Sequence, residues 1–488
     1  MVEIPKGKNS LDKKTYADKE SAIRISLLKL QRQIIELERP VIIIVGGTEG
    51  AGKGEVINLL DSWFDTRKVE IHAYWDETDE ESDRPRLWRY WRNLPAKSKT
   101  AMMLGAWYSG PIVARVLKQI DRHEFERQLI QIVNFERLLR DDDVVIVKFW
   151  LNISKKTQLK RLKKKDDSGR SSRFLSTHSA NYAEFKKAGE AALSITHTGF
   201  CPWIPVSAEN KRQRNLQVGE RLIDVLNREI ASSNDTPNFE SLPTTKQAEV
   251  SDLRLEDFDL TAELDKKAYK SRLESAQNRL QRLAWDAYDK QINTVCVFEG
   301  PDAAGKGGAI RRLSAGIDAR LLRVISTAAP NDEERAHHYL WRFWRNIPRS
   351  GYCTIYDRSW YGRVLVERVE QFCKPEQWAR SYQEINEFEQ QLIASGTVVL
   401  KFWVQISFEE QLRRFEERQK VPWKHHKITD EDWRNRDRWA DYALAVNDMV
   451  ARTSTPNAPW TLVPGNDKRY ARIQIIEALC DRLQGALE

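Results

Sequence analysis

Apolar positions along this chain fall into two patterns. Over residues 11–38 and 258–291 they recur among charged side chains at helical spacing, as on a long helix with one buried face. Elsewhere they form short unbroken runs: "TVCVF" at 294–298, "LRVIS" at 322–326, "CTIY" at 353–356, "VVLKFWV" at 398–404 and "WTLV" at 460–463. Such runs, separated by helical stretches, predict a parallel sheet with both faces covered. Sheets of that kind bind ligands at the carboxyl ends of their strands, so functional residues are expected directly after each run.

The pattern occurs twice. "GGTEGAGKGEVI" at 46–57 resembles "EGPDAAGKGGAI" at 299–310, and the two lysines give 306 − 53 = 253. The same offset relates "LDKKTY" to "LDKKAY", "WRYWRNLP" to "WRFWRNIP", and "VKFWLNIS" to "LKFWVQIS". A constant register across so many segments marks a tandem duplication. Residues 231–252, rich in Ser, Thr, Asn and Pro and without an apolar period, read as a linker. The expected domains are 1–230 and 256–488, joined by 231–255.

Composition changes this picture little. The 488 residues are 41% apolar and 31% charged, enough for two full cores, and the net charge of +8 suits anionic partners without proving any. No stretch approaches 18 apolar residues, and "MVEIPKGKNS" lacks the apolar centre of a signal peptide, so a cytoplasmic protein with no membrane partner is expected. The five cysteines form no C-x-x-C pair, and Cys296 and Cys353 are expected to be buried and reduced.

The chemistry should lie in the second copy. Gly300, Asp302, Ala303, Ala304, Gly305, Lys306 and Gly307 follow the first strand and open a helix, the setting of a phosphate-binding loop. Its amides and the helix N-terminus would cradle phosphate, with Lys306 adding a mobile positive charge. Gly307 stands where the usual magnesium-binding hydroxyl would be. Asp302 in the loop and Asp357 at the third strand's end could hold the metal instead, since Mg²⁺ favours one or two carboxylates plus phosphate oxygens and water. Either carboxylate could also be a simple helix cap. Arg358 and Arg363 come next and can neutralise a transferring phosphoryl group. Arg342 and Arg345 share a helix face and either bind an acceptor phosphate or frame the surface beside Trp341 and Trp344. Those tryptophans are read as core. Residues 411–438 fit a helical lid carrying Arg413, Arg414, Arg418 and Lys424, though much of it could be a solvated face.

With "EGPDAAGKGG", "HHYLWRFWRNIPRSG", "YDRSWYGRVLVERV", "KFWVQIS", "PWKHH" and "APWTLVP" in one chain, the sequence resembles the polyphosphate kinase 2 family. The resemblance covers 258–488 and, more weakly, 11–228. It implies two tandem P-loop kinase domains with a thymidylate-kinase-like fold, each an α/β unit with a five-stranded parallel sheet. It implies inorganic polyphosphate as phosphoryl donor, a nucleotide as acceptor and Mg²⁺, or Mn²⁺ in its place. Asp302 and Asp357 then match the metal-binding aspartates, and Lys306, Arg358, Arg363 and Lys424 the catalytic cations. Arg342, Arg345, Glu367, Arg414 and Arg418 become candidate nucleotide or polyphosphate contacts. The fused two-domain architecture resembles the class that converts AMP to ADP. Phosphorylation of ADP, or an ATP-dependent monophosphate kinase, are the alternatives, and a non-enzymatic anion binder a more distant one.

At the offset of 253, Lys306 and Asp302 match Lys53 and Glu49, whereas Asp357, Arg358, Ser359 and Arg363 match Leu104, Gly105, Ala106 and Gly110. "DDSGRSSRF" replaces the segment around "PWK". Only the second copy is therefore expected to catalyse. The first would support it as one half of an intramolecular pseudo-dimer, with further self-association open. The basic run "KKTQLKRLKKK" at 155–165 either captures polyphosphate or is a solvated helix face.

Overall fold

The computed structural model describes residues 12–166, 181–232, 255, 258–422, 425 and 428–488. Lys424, nearly all of the expected linker and most of "DDSGRSSRF" lie outside the described residues.

The first copy contains strands β1 (Val41–Gly47), β2 (Val69–Ala73), β3 (Thr100–Leu104), β4 (Val145–Asn152) and β5 (Trp203–Ser207), hydrogen-bonded in the order β2-β3-β1-β4-β5. The second contains β6 (Thr294–Glu299), β7 (Leu322–Ser326), β8 (Cys353–Asp357), β9 (Val398–Gln405) and β10 (Trp460–Pro464), in the matching order β7-β8-β6-β9-β10. Every pairing is parallel. All five apolar runs read from the sequence are strands, and the central β6 is buried along its whole length. Cys296 and Cys353 are buried free thiols.

The long helices begin later than the apolar period suggests. Lys13–Glu36 starts at Asp12, whose carboxylate accepts from the amides of Lys14 and Thr15; Lys266–Asp289 starts at Asp265, which does the same for Lys267 and Ala268. The aspartate of "LDKK" is thus an N-cap in both copies, and residues 258–265 precede the helix without regular structure.

Backbone conformation repeats as closely as sequence. Left-handed residues recur at the same offset: Gly47 and Gly300, Gly50 and Ala303, Gly52 and Gly305, Gly105 and Arg358, Lys118 and Gln371. The described residues form two compact units. One is built on the first copy and takes in Asp332–His338; the other is built on the second and takes in Glu77–Trp88.

Candidate active site

β6 runs into the glycine loop, and the helix Lys306–Ser314 leaves it. Gly300 is required by close approach: a Cβ there would stand 2.5 Å from the carbonyl oxygen of Val404 on the neighbouring strand. Gly308 N and Ala309 N donate to Gly305 O, while the amides of Lys306 and Gly307 at the helix start have no backbone partner among the described residues and are left for whatever the loop holds. Register pairs Phe298 with Asp357, so the loop and the end of β8 lie at adjacent strand ends.

Four predicted residues meet there. Asp302 Oδ1 accepts from Arg358 Nη2 at 2.9 Å, and its Oδ2 accepts from Asn435 Nδ2 at 2.9 Å. Burial opposes its ionisation, but Lys306 and Arg358 beside it hold the carboxyl below its ordinary pKa. Lys306 Nζ donates to the carbonyls of Gly300 (2.5 Å) and Pro301 (3.2 Å). Burial lowers the pKa of Lys306, countered by Asp302 and Asp357, so the ammonium sits poised among carboxylates. The Asp357 side chain accepts no hydrogen bond among the described residues. Arg358 adopts φ 64°, a region that disfavours side chains with a Cβ.

Sequence reasoning missed Glu299. Its buried Oε1 accepts from Ser359 N at 2.7 Å and Ser359 Oγ at 2.8 Å, pinning the turn that carries Asp357 and Arg358. Burial raises its pKa, while Ser359, Lys306 and Arg358 act the other way. A signal existed: Glu299 and Ser359 become Gly46 and Ala106 together in the first copy.

The far side of the turn is fixed by a second buried network. Glu389 accepts from Trp360 Nε1 (3.1 Å), Tyr361 OH (2.7 Å) and Lys401 Nζ (2.8 Å), and Lys401 also donates to Thr453 O at 2.6 Å. Glu136, Trp107, Tyr108, Lys148 and Thr196 repeat the arrangement in the first copy. This explains why the tryptophan and tyrosine persist in the first copy although Asp357, Arg358 and Arg363 have no counterparts there.

Other candidates have different places. Arg363 lies 4.4 Å over the Tyr339 ring and pairs with Glu367 at 3.2 Å; among the described residues, no contact joins either to the Asp302 cluster. They belong to a 3₁₀ turn, Trp360–Arg363, and a short helix, Val366–Val369, rather than to one continuous helix. Trp341 and Trp344 are core, as expected. Arg342 donates to Ala328 O at 3.0 Å, as Arg89 does to Trp75 O in the first copy, and Arg345 lies 4.5 Å over Trp341.

Arg414 is a correction. Expected at a substrate, it is buried, with Nη1 on the carbonyls of Ala303 (2.9 Å) and Ala304 (2.8 Å), and Nη2 on Gly465 (2.6 Å) and Asn466 (2.9 Å). Arg161 makes equivalent bonds to Gly50, Ala208 and Glu209 in the first copy. The guanidinium ties loop to sheet. Gln411 and Gln158 assist, each donating to a loop carbonyl. The expected lid comprises helices Phe408–Gln419 and Asp430–Asp437, the second supplying Asn435; Arg418 is half-buried on the first.

In the first copy Lys53, the counterpart of Lys306, pairs with Glu49 at 2.8 Å.

A glycine loop after the central strand, a lysine opening the next helix and a carboxylate at the adjacent strand end define a P-loop kinase fold. The chain belongs to the polyphosphate kinase 2 family, whose model matches residues 10–234 and again 263–488. It is 44% identical over its full length to a polyphosphate:AMP phosphotransferase of Pseudomonas aeruginosa, covering 99% of that protein. It is 35% identical to one of Acinetobacter johnsonii, over 95% of this chain and 96% of the relative. An ADP-polyphosphate phosphotransferase of Pseudomonas aeruginosa matches only 46% of this chain, at 38% identity over 74% of its own length. A solved polyphosphate kinase 2 structure from Pseudomonas aeruginosa superposes with a TM-score of 0.86 and 43% identity, covering 98% of this chain and 97% of its own.

Proposed function

We propose that this chain transfers the terminal phosphoryl group of inorganic polyphosphate to AMP, giving ADP. The observation that carries the acceptor is the full-length match: relatives matched across both copies are named for AMP, whereas one matched over a single copy's length is named for ADP.

The terminal P–O–P bond of the donor breaks as an oxygen of the AMP α-phosphate bonds to the same phosphorus, and the shortened polyphosphate leaves. That oxygen is already anionic, so no strong base is required. The loop amides and Lys306 hold the donor's last phosphates, and Arg358 balances charge on the transferring group. Arg363 and Lys424 are read as further cations completing the closed site. Asp302 and Asp357 suit a divalent cation, Mg²⁺ or Mn²⁺: Asp357 is uncommitted among the described residues, and both oxygens of Asp302 keep a lone pair beyond their present bonds. Such a cation would supply charge neutralisation on the phosphate oxygens. Catalysis is assigned to the second copy; the first, domain 1–230, is read as non-catalytic.

Incubation with AMP, Mg²⁺ and long-chain polyphosphate, without ATP, should yield ADP as the dominant product by chromatography. Asp357→Asn should lower turnover by about 10³ with the circular dichroism spectrum unchanged. ADP formed only when ATP is supplied would overturn the donor, ATP as the first product the acceptor, and near-normal kcat in Asp357→Asn the metal role.

A further inference from the structure

The two copies differ sharply at the corner between the glycine loop, the first turn of its helix and the last helix of the domain. After the lid the offset between copies becomes 460 − 203 = 257, because β10 follows four residues later than β5. In the first copy this corner is filled. Arg214, 2% exposed, lies across it with Nη1 on Ala51 O at 3.0 Å and on Glu55 Oε2 at 3.2 Å. Lys211 closes the group by pairing with Glu55 Oε1 at 2.8 Å. The arginine is so close that a Cβ on Gly52 would stand 2.0 Å from Nη1.

In the second copy both halves of that plug are gone. Glu55 becomes Gly308 (55 + 253) and Arg214 becomes Ala471 (214 + 257). The lysine stays, as Lys468 (211 + 257), and Asn215 becomes a second cation, Arg472 (215 + 257). Lys468 and Arg472 are four apart on the helix Lys468–Leu487 and so share a face. Arg472 reaches the loop helix: its Nη2 lies 3.3 Å from a Cβ placed on Gly308. Both are half-buried, and neither has an ion-pair partner among the described residues. The acids facing Lys468 are engaged elsewhere, Glu410 with Arg413 and Arg414, and Glu417 with Arg413. Burial and the neighbouring Arg414 and Arg413 lower the pKa of Lys468 to about 8, against the pull of Glu417 and Glu410. An anion would relieve that crowding of cations.

We propose that Lys468 and Arg472 form a subsite for the donor polyphosphate beyond the glycine loop, over Gly308. The proposal rests on the reading of polyphosphate as donor. The loop and Lys306 accommodate only the few phosphates next to the transferring one, and a longer chain must leave the loop along some surface. The corner beside Gly308 is opened by deletion of an ion pair and lined by two uncompensated cations. In the first copy, its counterpart is shut by its own arginine.

The test measures KM for long-chain polyphosphate and for tripolyphosphate, which is too short to fill loop and subsite together, in the full-length protein and in Lys468→Ala and Arg472→Ala. The ratio of long-chain to tripolyphosphate KM should rise about tenfold for either variant, the loss of one charge-assisted contact. Lys468→Arg and Arg472→Lys should restore most of it, which a packing role would not produce. An unchanged ratio, or equal increases for both donors, overturns the subsite. If the unaltered protein makes no ADP from polyphosphate, the donor reading itself fails. Equilibrium binding of long-chain polyphosphate then decides the subsite separately: about tenfold weaker binding in the variants supports it, and equal binding overturns it.

Discussion

Arg358 holds φ 64°, and its counterpart Gly105 holds φ 81°. The turn after the third strand therefore demands a left-handed residue in both copies. Glycine meets that demand without strain, whereas a residue with a Cβ is held there at a cost of roughly 1–2 kcal/mol. The second copy bears that cost at the residue whose guanidinium lies 2.9 Å from Asp302. The pair is half-exposed on the arginine side, so it offsets little of the strain. Arg358→Gly should consequently leave unfolding free energy within about 1 kcal/mol of the parent, relief of strain balancing the greater entropy of the unfolded chain. Turnover should fall by about 10³ or more, the scale of a lost transition-state arginine. Calorimetry beside steady-state kinetics separates the two. Destabilisation of several kcal/mol with modest loss of turnover would make Arg358 a structural residue instead.

At the scale of elements, the turn is clamped from both sides. Glu299 grips Ser359 from β6, and Glu389, on the helix Pro375–Ala394, grips Trp360 and Tyr361 while neutralising Lys401 on β9. Burial lowers the pKa of Lys401, and Glu389 opposes that shift. Removing the carboxylate alone leaves a buried cation without its partner, which costs about 3–5 kcal/mol. Glu389→Gln and, by the same geometry, Glu136→Gln should each lower stability by that amount in denaturant unfolding. A loss below about 1 kcal/mol in both would show that the pairs are dispensable. This network was only half legible in the sequence. "VKFW" and "LKFW" announced a strand and a repeat, but a lysine inside an apolar run gives no hint of its partner twelve residues upstream on a helix. Arg414 was misread for a related reason: composition marks a cation, while only packing shows that its Nη groups meet four backbone carbonyls and its Nε meets Glu410. The strands, the loop and the place of Asp357 at the end of its strand were legible because strand ends follow directly from the apolar runs. The helix starts were not, since Asp12 and Asp265 cap where the apolar period alone sets no boundary.

Across the whole molecule, one fold is kept twice, while the proposed phosphate-handling residues occur together only in the second copy. Strand order, left-handed positions, the buried lysine–glutamate pair and the Arg161 and Arg414 clamps recur. Among the many differences between the copies, one group lies at the strand ends around the glycine loop. Leu104 replaces a carboxylate, Gly105 and Gly110 replace cations, Lys53 pairs with Glu49, and Arg214 fills the corner that the second copy leaves open. The matched lysines test this division directly. Lys306→Ala removes the ammonium assigned above to the donor phosphates and should lower kcat/KM for AMP phosphorylation by about 10²–10³. Lys53→Ala removes an ammonium already paired, and should leave kcat/KM within about twofold, because an exposed or half-buried pair of this kind contributes at most about 1 kcal/mol to folding and nothing to the second site. Comparable losses in both variants would mean that the first loop also turns over substrate. The assignment of catalysis to residues 256–488 alone would then be wrong.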